Sequence, residues 1–337
     1  MNELIKNYWY LICPASEVKN QIVKKKLHGQ KIIVFRDKEG NLAALEDRCC
    51  HRNVKLSLGY LREGRVVCGY HGWEYDNEGN CVLIPSQLPE NKIPPTAKIK
   101  SYPIQEFNRW VWIFLGDADK SDEIKPLDIP EMNKWDFTYK SHTFKADLES
   151  TAESLVDPYH IAFAHRNSIG SFMGQIEEFP ADFGIQFHED GIEGNYKRAN
   201  KGSIGEKMYF GREANLSTYY RFYFPNFSRL QINFHKRTLL ILEHVVQVDD
   251  DHVEMIQITL WKNIFSKFPT FARFFMARKS AKIVGEDIEL LESQLSLMRS
   301  SGDDLREISV KGDEVSLAFR KFWRRKVKEN GDENYAK

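Results

Sequence analysis

The sequence has no long apolar run. Nowhere do hydrophobic residues continue for the ~18–20 positions that a membrane-spanning helix needs. Its opening residues, Met1-Asn2-Glu3-Leu4-Ile5-Lys6, meet charge too early for a secretory leader. It has no excess charge of either sign: 48 Lys and Arg balance 48 Asp and Glu, which removes any global attraction to nucleic acid or anionic lipid. Cysteine is scarce and odd in number, at positions 13, 49, 50, 68 and 81. Such a set is unlike a secreted disulfide scaffold and leaves thiols available for metal. Internal repeats, low-complexity tracts and a Gly-x-Gly-x-x-Gly fingerprint are also missing, so the chain shows no means of using NAD(P)H itself. Together these absences predict a cytoplasmic protein with no nucleic-acid partner and no membrane span.

What is present falls into two halves. In the first, Lys31–Phe35 and Leu42–Leu45 flank the loop Asp37-Lys38-Glu39-Gly40-Asn41, while Trp73–Tyr75 and Cys81–Ile84 flank the similar loop Asp76-Asn77-Glu78-Gly79-Asn80. Both read as β-hairpins. Arg109–Leu115 is a further buried strand, and the polar, proline-punctuated residues 117–130 mark a boundary. Beyond it lie helical character near 146–165, aromatic strands at 219–224 and 239–242, a long helix over 268–299 and a short basic helix over 314–328. The reading is an all-β segment 1–118, a linker 119–145 and an α+β segment 146–337.

The strongest motif is Cys49-Cys50-His51, sixteen residues, then Cys68-Gly69-Tyr70-His71-Gly72-Trp73. Two hairpin tips carrying it would offer two thiolates and two imidazoles to one site. Tetrahedral zinc accepts that donor set, but zinc fingers pair Cys with Cys and His with His, whereas each loop here supplies one of each. The alternation suits a cluster with one iron on two thiolates and the other on two imidazoles. The pattern C-x-H-x(16)-C-x-x-H, with the Gly-Trp that follows, resembles the Rieske [2Fe–2S] motif, which implies Cys49, His51, Cys68 and His71 as cluster ligands. Cys50 stands where the family usually has proline and is expected to be a spectator. Trp73 replaces the serine by which respiratory Rieske proteins donate to sulfur. Fewer donors would place the potential at the low end of the Rieske range, around ~−150 mV.

A second motif runs from Glu153-Ser154-Leu155-Val156-Asp157-Pro158 through Tyr159 and His160 to His165. Two histidines and a carboxylate with open positions can form the facial triad of non-haem Fe(II) oxygenases. Asp157-Pro158 reads equally well as a helix N-cap followed by a first-turn proline. Five residues on an ideal helix span about 140° around the axis, so His160 and His165 can share a metal only where the backbone leaves the helix. On the long helix, Val284, Ile288, Leu291, Leu295 and Met298 form one stripe, and Ile283, Asp287, Leu290, Gln294 and Leu297 its neighbour. Asp287 thus stands in a largely apolar row, where an unpaired carboxylate is costly and a metal would relieve the cost.

The spacing E-x3-D-x2-H-x4-H, on the same chain as the cluster motif, resembles the catalytic signature of Rieske non-haem iron oxygenases. The resemblance implies His160, His165 and Asp287 as ligands of a mononuclear Fe(II), with Glu286 as the competing acid, and Asp157 as the link from the iron site to a cluster histidine. Ser154 replaces a frequent asparagine, so no asparagine role carries over. The implied fold is an all-β Rieske domain followed by a helix-grip, START-like catalytic domain. The implied activity uses O2 and a separate NAD(P)H-dependent reductase or ferredoxin to hydroxylate or demethylate a small cyclic or aromatic substrate, with monooxygenation ahead of dioxygenation, in a homotrimer. The alternative is an electron carrier whose second domain only binds a ligand. Arg48, Arg52, Lys55, Arg62 and Arg65 surround the ligand loops and offer a docking face for an acidic redox partner. Tyr219, Tyr220, Phe222, Phe224 and Phe227 either line a pocket for a flat ring or fill the core.

Overall fold

The computed structural model describes residues 5–88, 90–157, 159–168, 184–199, 215–234, 237–262, 269–301 and 305–331. Contacts divide the chain into two compact units at the Asn133/Lys134 junction.

The first unit is built from short antiparallel strands: β1 (Tyr8–Pro14), β2 (Val23–Leu27), β3 (Gln30–Arg36), β4 (Leu42–Glu46), β5 (Tyr60–Arg62), β6 (Arg65–Val67), β7 (Glu74–Tyr75), β8 (Cys81–Leu83), β9 (Ile104–Phe107) and β10 (Trp110–Leu115). They form sheets of order β2-β3-β4, β5-β6-β7-β8 and β1-β10-β9. The two Asp-containing loops are made alike. Asp37 accepts the N–H groups of Glu39 and Asn41, and Asp76 those of Glu78 and Asn80. Gly40 and Gly79 take the positive φ that each turn needs. Cys49 and Cys68 belong to the apolar cluster of Ile33, Phe35, Leu45, Leu56 and Tyr75.

The second unit is one seven-stranded antiparallel sheet of β11 (Asp136–Lys145), β12 (Gln186–His188), β13 (Gly191–Ala199), β14 (Asn215–Tyr223), β15 (Phe227–Phe234), β16 (Arg237–Gln247) and β17 (His252–Lys262). Strands β12 to β17 form a meander, and β11 closes beside β17 over its whole length. This corrects the sequence reading, which left 136–145 in the linker. Those residues form an edge strand, where polar side chains alternate with apolar ones and weaken the hydrophobic signal.

The long helix, Pro269–Ser301, runs alongside β11. Arg273 pairs with Asp136 at the start of the strand, and the Lys145 amide donates to Glu292 at its end. Nineteen helical steps span roughly 28 Å and nine strand steps roughly 30 Å, so the two elements match in length. Thr259 on β17 and Ser280 on the helix share a hydrogen bond of 2.6 Å, fixing which sheet face the helix covers. The C-terminal helix, Glu314–Glu329, packs Phe319 and Trp323 against Phe222 of the same face. This is a helix-grip arrangement. Among the described residues no helix is long and apolar enough to cross a membrane.

Candidate metal centres

The two cysteine loops are near-repeats of one backbone motif. Cys49 N–H donates to Val54 and Cys68 N–H to Trp73, each five residues on. Asn53 N–H returns to the Cys49 carbonyl and Gly72 N–H to that of Cys68. The returning residue has positive φ in both loops, 59° at Asn53 and 73° at Gly72, and both residue types tolerate it. Both cysteines are buried, whereas His51 is half-buried and His71 exposed, with ring centroids 4.7 Å apart. The thiols therefore face the core and the imidazoles the rim. Nδ1 of His51 is occluded without a hydrogen-bond partner, as expected of a nitrogen reserved for metal. The donor set and the orphaned nitrogen fit a [2Fe–2S] cluster.

Sequence reasoning missed Tyr75. Its buried hydroxyl lies 3.1 Å from Cys49 Sγ and 3.3 Å from Cys50 Sγ. The unit therefore offers a donor to sulfur that the reasoning from Trp73 did not count, and Cys50 is that hydroxyl's second neighbour. The basic face is also thinner than expected: Arg48 pairs with Glu46, and Arg62 and Arg65 converge on buried Glu74. Arg52 and Lys55 remain exposed.

In the second unit, a helix over Leu148–Ser154 is capped by Asp147, and a one-turn helix covers His160–Ala164. His165 caps that turn at φ −98°, ψ 23°, which is the departure from helical geometry that bringing both imidazoles together requires. Nε2 of His160 and Nε2 of His165 lie 3.7 and 3.3 Å from Asp287 Oδ1, and the three donor atoms are all within 4.8 Å of one another. Adjacent donors around a metal with bonds of ~2.1 Å stand about 3 Å apart, so a small contraction closes the site on an ion.

Electrostatics agree with that chemistry. Burial lowers the pKa of both His160 and His165, favouring the neutral imidazoles that bind metal. Asp287 is pushed up to about 8 by burial and then by the charges of Glu243 and Glu286, a cost that a cation at the triad would relieve. The residues fit a mononuclear iron.

Glu286 is held apart from Asp287 in role. Its Oε2 accepts from His165 Nδ1 at 3.0 Å and from Ser168 Oγ at 2.5 Å. The supposed apolar row around Asp287 is only partly buried, since Leu290 and Leu297 are exposed, as is Met298 of the neighbouring stripe. Asp157 makes local contacts. Its carboxylate accepts the Tyr159 amide at 2.8 Å, and His160 Nδ1 bonds to the Asp157 carbonyl at 2.7 Å, with the carboxylate 3.9 Å away. Ser154 spends its hydroxyl on the Thr151 carbonyl. The helix that precedes the histidine segment is tied to the C-terminal helix, through Arg320 to Glu153 and Arg324 to Glu149.

Of the aromatic strand residues, Phe222 and Phe224 pack on the C-terminal helix, while on the opposite face Phe227 packs against His244 and Tyr219 bonds Glu193. Most of the aromatic run is therefore core. The Tyr220 hydroxyl is buried.

An all-β unit with a two-cysteine, two-histidine cradle, joined to a helix-grip unit with a two-histidine, one-carboxylate triad, defines a protein of the cluster-plus-iron class. Residues 8–103 match the family model of the Rieske [2Fe-2S] domain, and residues 144–329 that of the vanillate O-demethylase oxygenase C-terminal domain. The chain belongs to the Rieske non-haem iron oxygenases, with the vanillate O-demethylase type of C-terminal domain.

Among its relatives is the vanillate O-demethylase oxygenase subunit of Pseudomonas sp., 31% identical over 183 residues, 54% of this chain and 50% of that one. The 4beta-methylsterol monooxygenase of Methylococcus capsulatus is 35% identical over 166 residues, 48% of this chain and 45% of that one. The chain thus matches about half the length of these curated relatives. Among solved structures, dicamba monooxygenase bound to 3,6-dichlorosalicylic acid superposes with a TM-score of 0.83 at 17% identity, covering 97% of this chain and 98% of that one. NdmA of Pseudomonas putida CBB5 with caffeine gives 0.78 at 21%, covering 98% and 94%. These two likenesses bear on the fold.

Proposed function

We propose that the chain is a terminal oxygenase that receives electrons from a separate NAD(P)H-dependent reductase or ferredoxin. It uses O2 to hydroxylate, or oxidatively O- or N-demethylate, a small cyclic or aromatic substrate. The observation that carries this reading is the convergence of His160, His165 and Asp287 on a chain that also holds the Rieske quartet. Relatives named for vanillate, toluene-4-sulfonate and a 4beta-methylsterol support a cyclic substrate and insertion of one oxygen atom.

When bound, the cluster supplies single electrons and the mononuclear iron activates O2. The chain's residues do the rest. Cys49 and Cys68 would hold one cluster iron from the core side, and His51 and His71 the other from the rim. His160, His165 and Asp287 would hold the mononuclear iron with three donor atoms. Glu286 accepts a hydrogen bond from Nδ1–H of His165, which would leave Nε2 free to bind the metal. The Asp157 carbonyl does the same for His160. The ion pairs of Arg320 and Arg324 anchor the helix that leads into the histidine segment. Demethylation needs no separate machinery, because hydroxylating a methyl group beside O or N gives an adduct that expels formaldehyde. A homotrimer, packed head to tail, completes the reading.

Metal analysis tests it. About three irons and two acid-labile sulfides per chain are expected. Two irons after reconstitution with excess Fe(II) would instead favour an electron carrier with a ligand-binding domain.

A further inference from the structure

Ser228, Glu243 and Gln257 stand opposite one another on β15, β16 and β17. Gln257 Nε2 donates to Glu243 Oε1 at 2.8 Å, and Ser228 Oγ donates to Oε2 at 3.2 Å. Alternation along a strand puts Gln257 on the same sheet face as Thr259, the residue bonded to Ser280 of the long helix. Asp287 follows Ser280 by two helical turns and so looks the same way. Glu243 therefore faces the side of the sheet on which the metal triad is assembled.

Its surroundings are unusual for a carboxyl group. Ile241 and Val245 flank it along β16, and Leu230 and Phe222 stand on neighbouring strands of the same face. Its hydrogen-bond partners are a neutral amide and a neutral hydroxyl, and burial raises its pKa. A carboxylate offers about four acceptor positions, and among the described residues two side chains donate to it. Glu243 keeps some accessible surface, although Ile241, Leu242, His244 and Val245 around it are buried. Among the described residues the buried cation of this sheet, Arg221, lies on the opposite face, held by Glu193 and Asp190.

We propose that Glu243 is a specificity-determining residue of the oxygenase site. It accepts a hydrogen bond from an N–H or O–H group of a neutral or cationic substrate and rejects rings that carry a carboxylate or sulfonate at that end. The inference rests on the oxygenase reading above. An apolar wall with one acid suits a donor group, and a cationic donor favours the charged carboxylate that burial disfavours, whereas a carboxylate or sulfonate there would add a second poorly solvated anion.

Three probes share a ring and a methoxy group and differ at one end: 4-methoxybenzylamine, 4-methoxybenzyl alcohol and 4-methoxybenzoate. Anaerobic calorimetry on the iron-loaded protein should show the amine and the alcohol binding roughly tenfold or more tightly than the benzoate. Glu243→Gln keeps the size and the acceptor for Gln257, and should cut the amine-over-benzoate preference by roughly tenfold. Equal binding of the benzoate, an unchanged preference in the variant, or no binding of any probe overturns the proposal. The wild-type comparison needs no variant to fold. Three irons per chain without selectivity would remove this inference and leave the oxygenase reading standing, whereas a missing third iron removes the reading itself.

Discussion

Glu286 Oε2 lies 3.0 Å from His165 Nδ1, on the far side of the imidazole from Asp287, which stands 3.3 Å from Nε2. Two adjacent acids on one helix thus address the two nitrogens of one histidine. The sequence left the choice between them open, because residues 100° apart on a helix can both approach a site. In the structure Asp287 faces both imidazoles, and Glu286 is drawn aside by His165 and Ser168.

Removing the orienting acid should therefore weaken metal binding without removing a ligand. Glu286→Ala is expected to lower Fe(II) affinity about 10–100-fold, while Glu286→Gln, which keeps an acceptor, retains most of it. Competition against a chelator measures this, with the visible spectrum of the cluster as an internal control. Unchanged affinity in Glu286→Ala would remove the orienting role.

The two centres should be separable by mutation. His160→Ala, His165→Ala or Asp287→Ala should each cost the mononuclear iron and spare the cluster spectrum. Cys49→Ser or Cys68→Ser should abolish the cluster, whereas Cys50→Ala should spare it. An Asp287→Ala protein with full iron content would show that Asp287 is no ligand.

Much of this was legible in the sequence, for identifiable reasons. The hairpin loops at 37–41 and 76–80 announce themselves because Asp, Gly and Asn each have one reason to be in a turn. The cysteine and histidine spacing is readable because ligands held by hairpin tips lie close in sequence. The edge strand β11 was not legible, since its polar face carries no periodic apolar signal. Nor was the isolation of Glu286 from Asp287, which depends on Ser168, more than a hundred residues away. Tyr75 was hidden by its own surroundings: in an apolar cluster its ring reads as packing, and only coordinates show its hydroxyl reaching sulfur.

Tyr75→Phe follows from that contact. Reduction adds negative charge to the cluster, and a hydroxyl donating to Cys49 Sγ stabilises it. One such bond, worth about 1 kcal/mol between the two redox states, corresponds to roughly 50 mV for one electron. The variant should be lower in potential by that order, as read by a spectroelectrochemical titration. An unshifted potential would mean that the hydroxyl spends its proton on Cys50.

His28 predicts an acid limit to the first unit. It sits in the turn between β2 and β3 with its ring against Tyr10, and burial lowers its pKa to about 4. An unfolded histidine titrates near 6.5, so between those values the unfolded chain binds more protons and stability falls as pH drops. From pH 7 to pH 5 the loss is about 2 kcal/mol. Asparagine tolerates the positive φ at this position, so His28→Asn should flatten the dependence. Urea midpoints at the two pH values test it, and an equal drop in both proteins would assign the acid sensitivity elsewhere.

The last prediction concerns Asp157 and the route of the electron. The Asp157 carbonyl already orients His160, and its carboxylate caps the Tyr159 amide, so asparagine can replace both local contacts. A purely structural Asp157 makes Asp157→Asn nearly silent. If the carboxylate instead orients a cluster histidine of a neighbouring subunit, as the head-to-tail trimer requires, the variant should keep both metal centres and lose most turnover. The crossing itself has a separate test, because a cluster-dead chain and an iron-dead chain are each inactive alone. Co-expressing Cys68→Ser with His160→Ala should restore part of the activity in mixed oligomers, since a live cluster in one subunit then feeds live iron in the next. Mixed oligomers that are folded, verified and inactive would confine electron transfer to a single chain and sink the proposal.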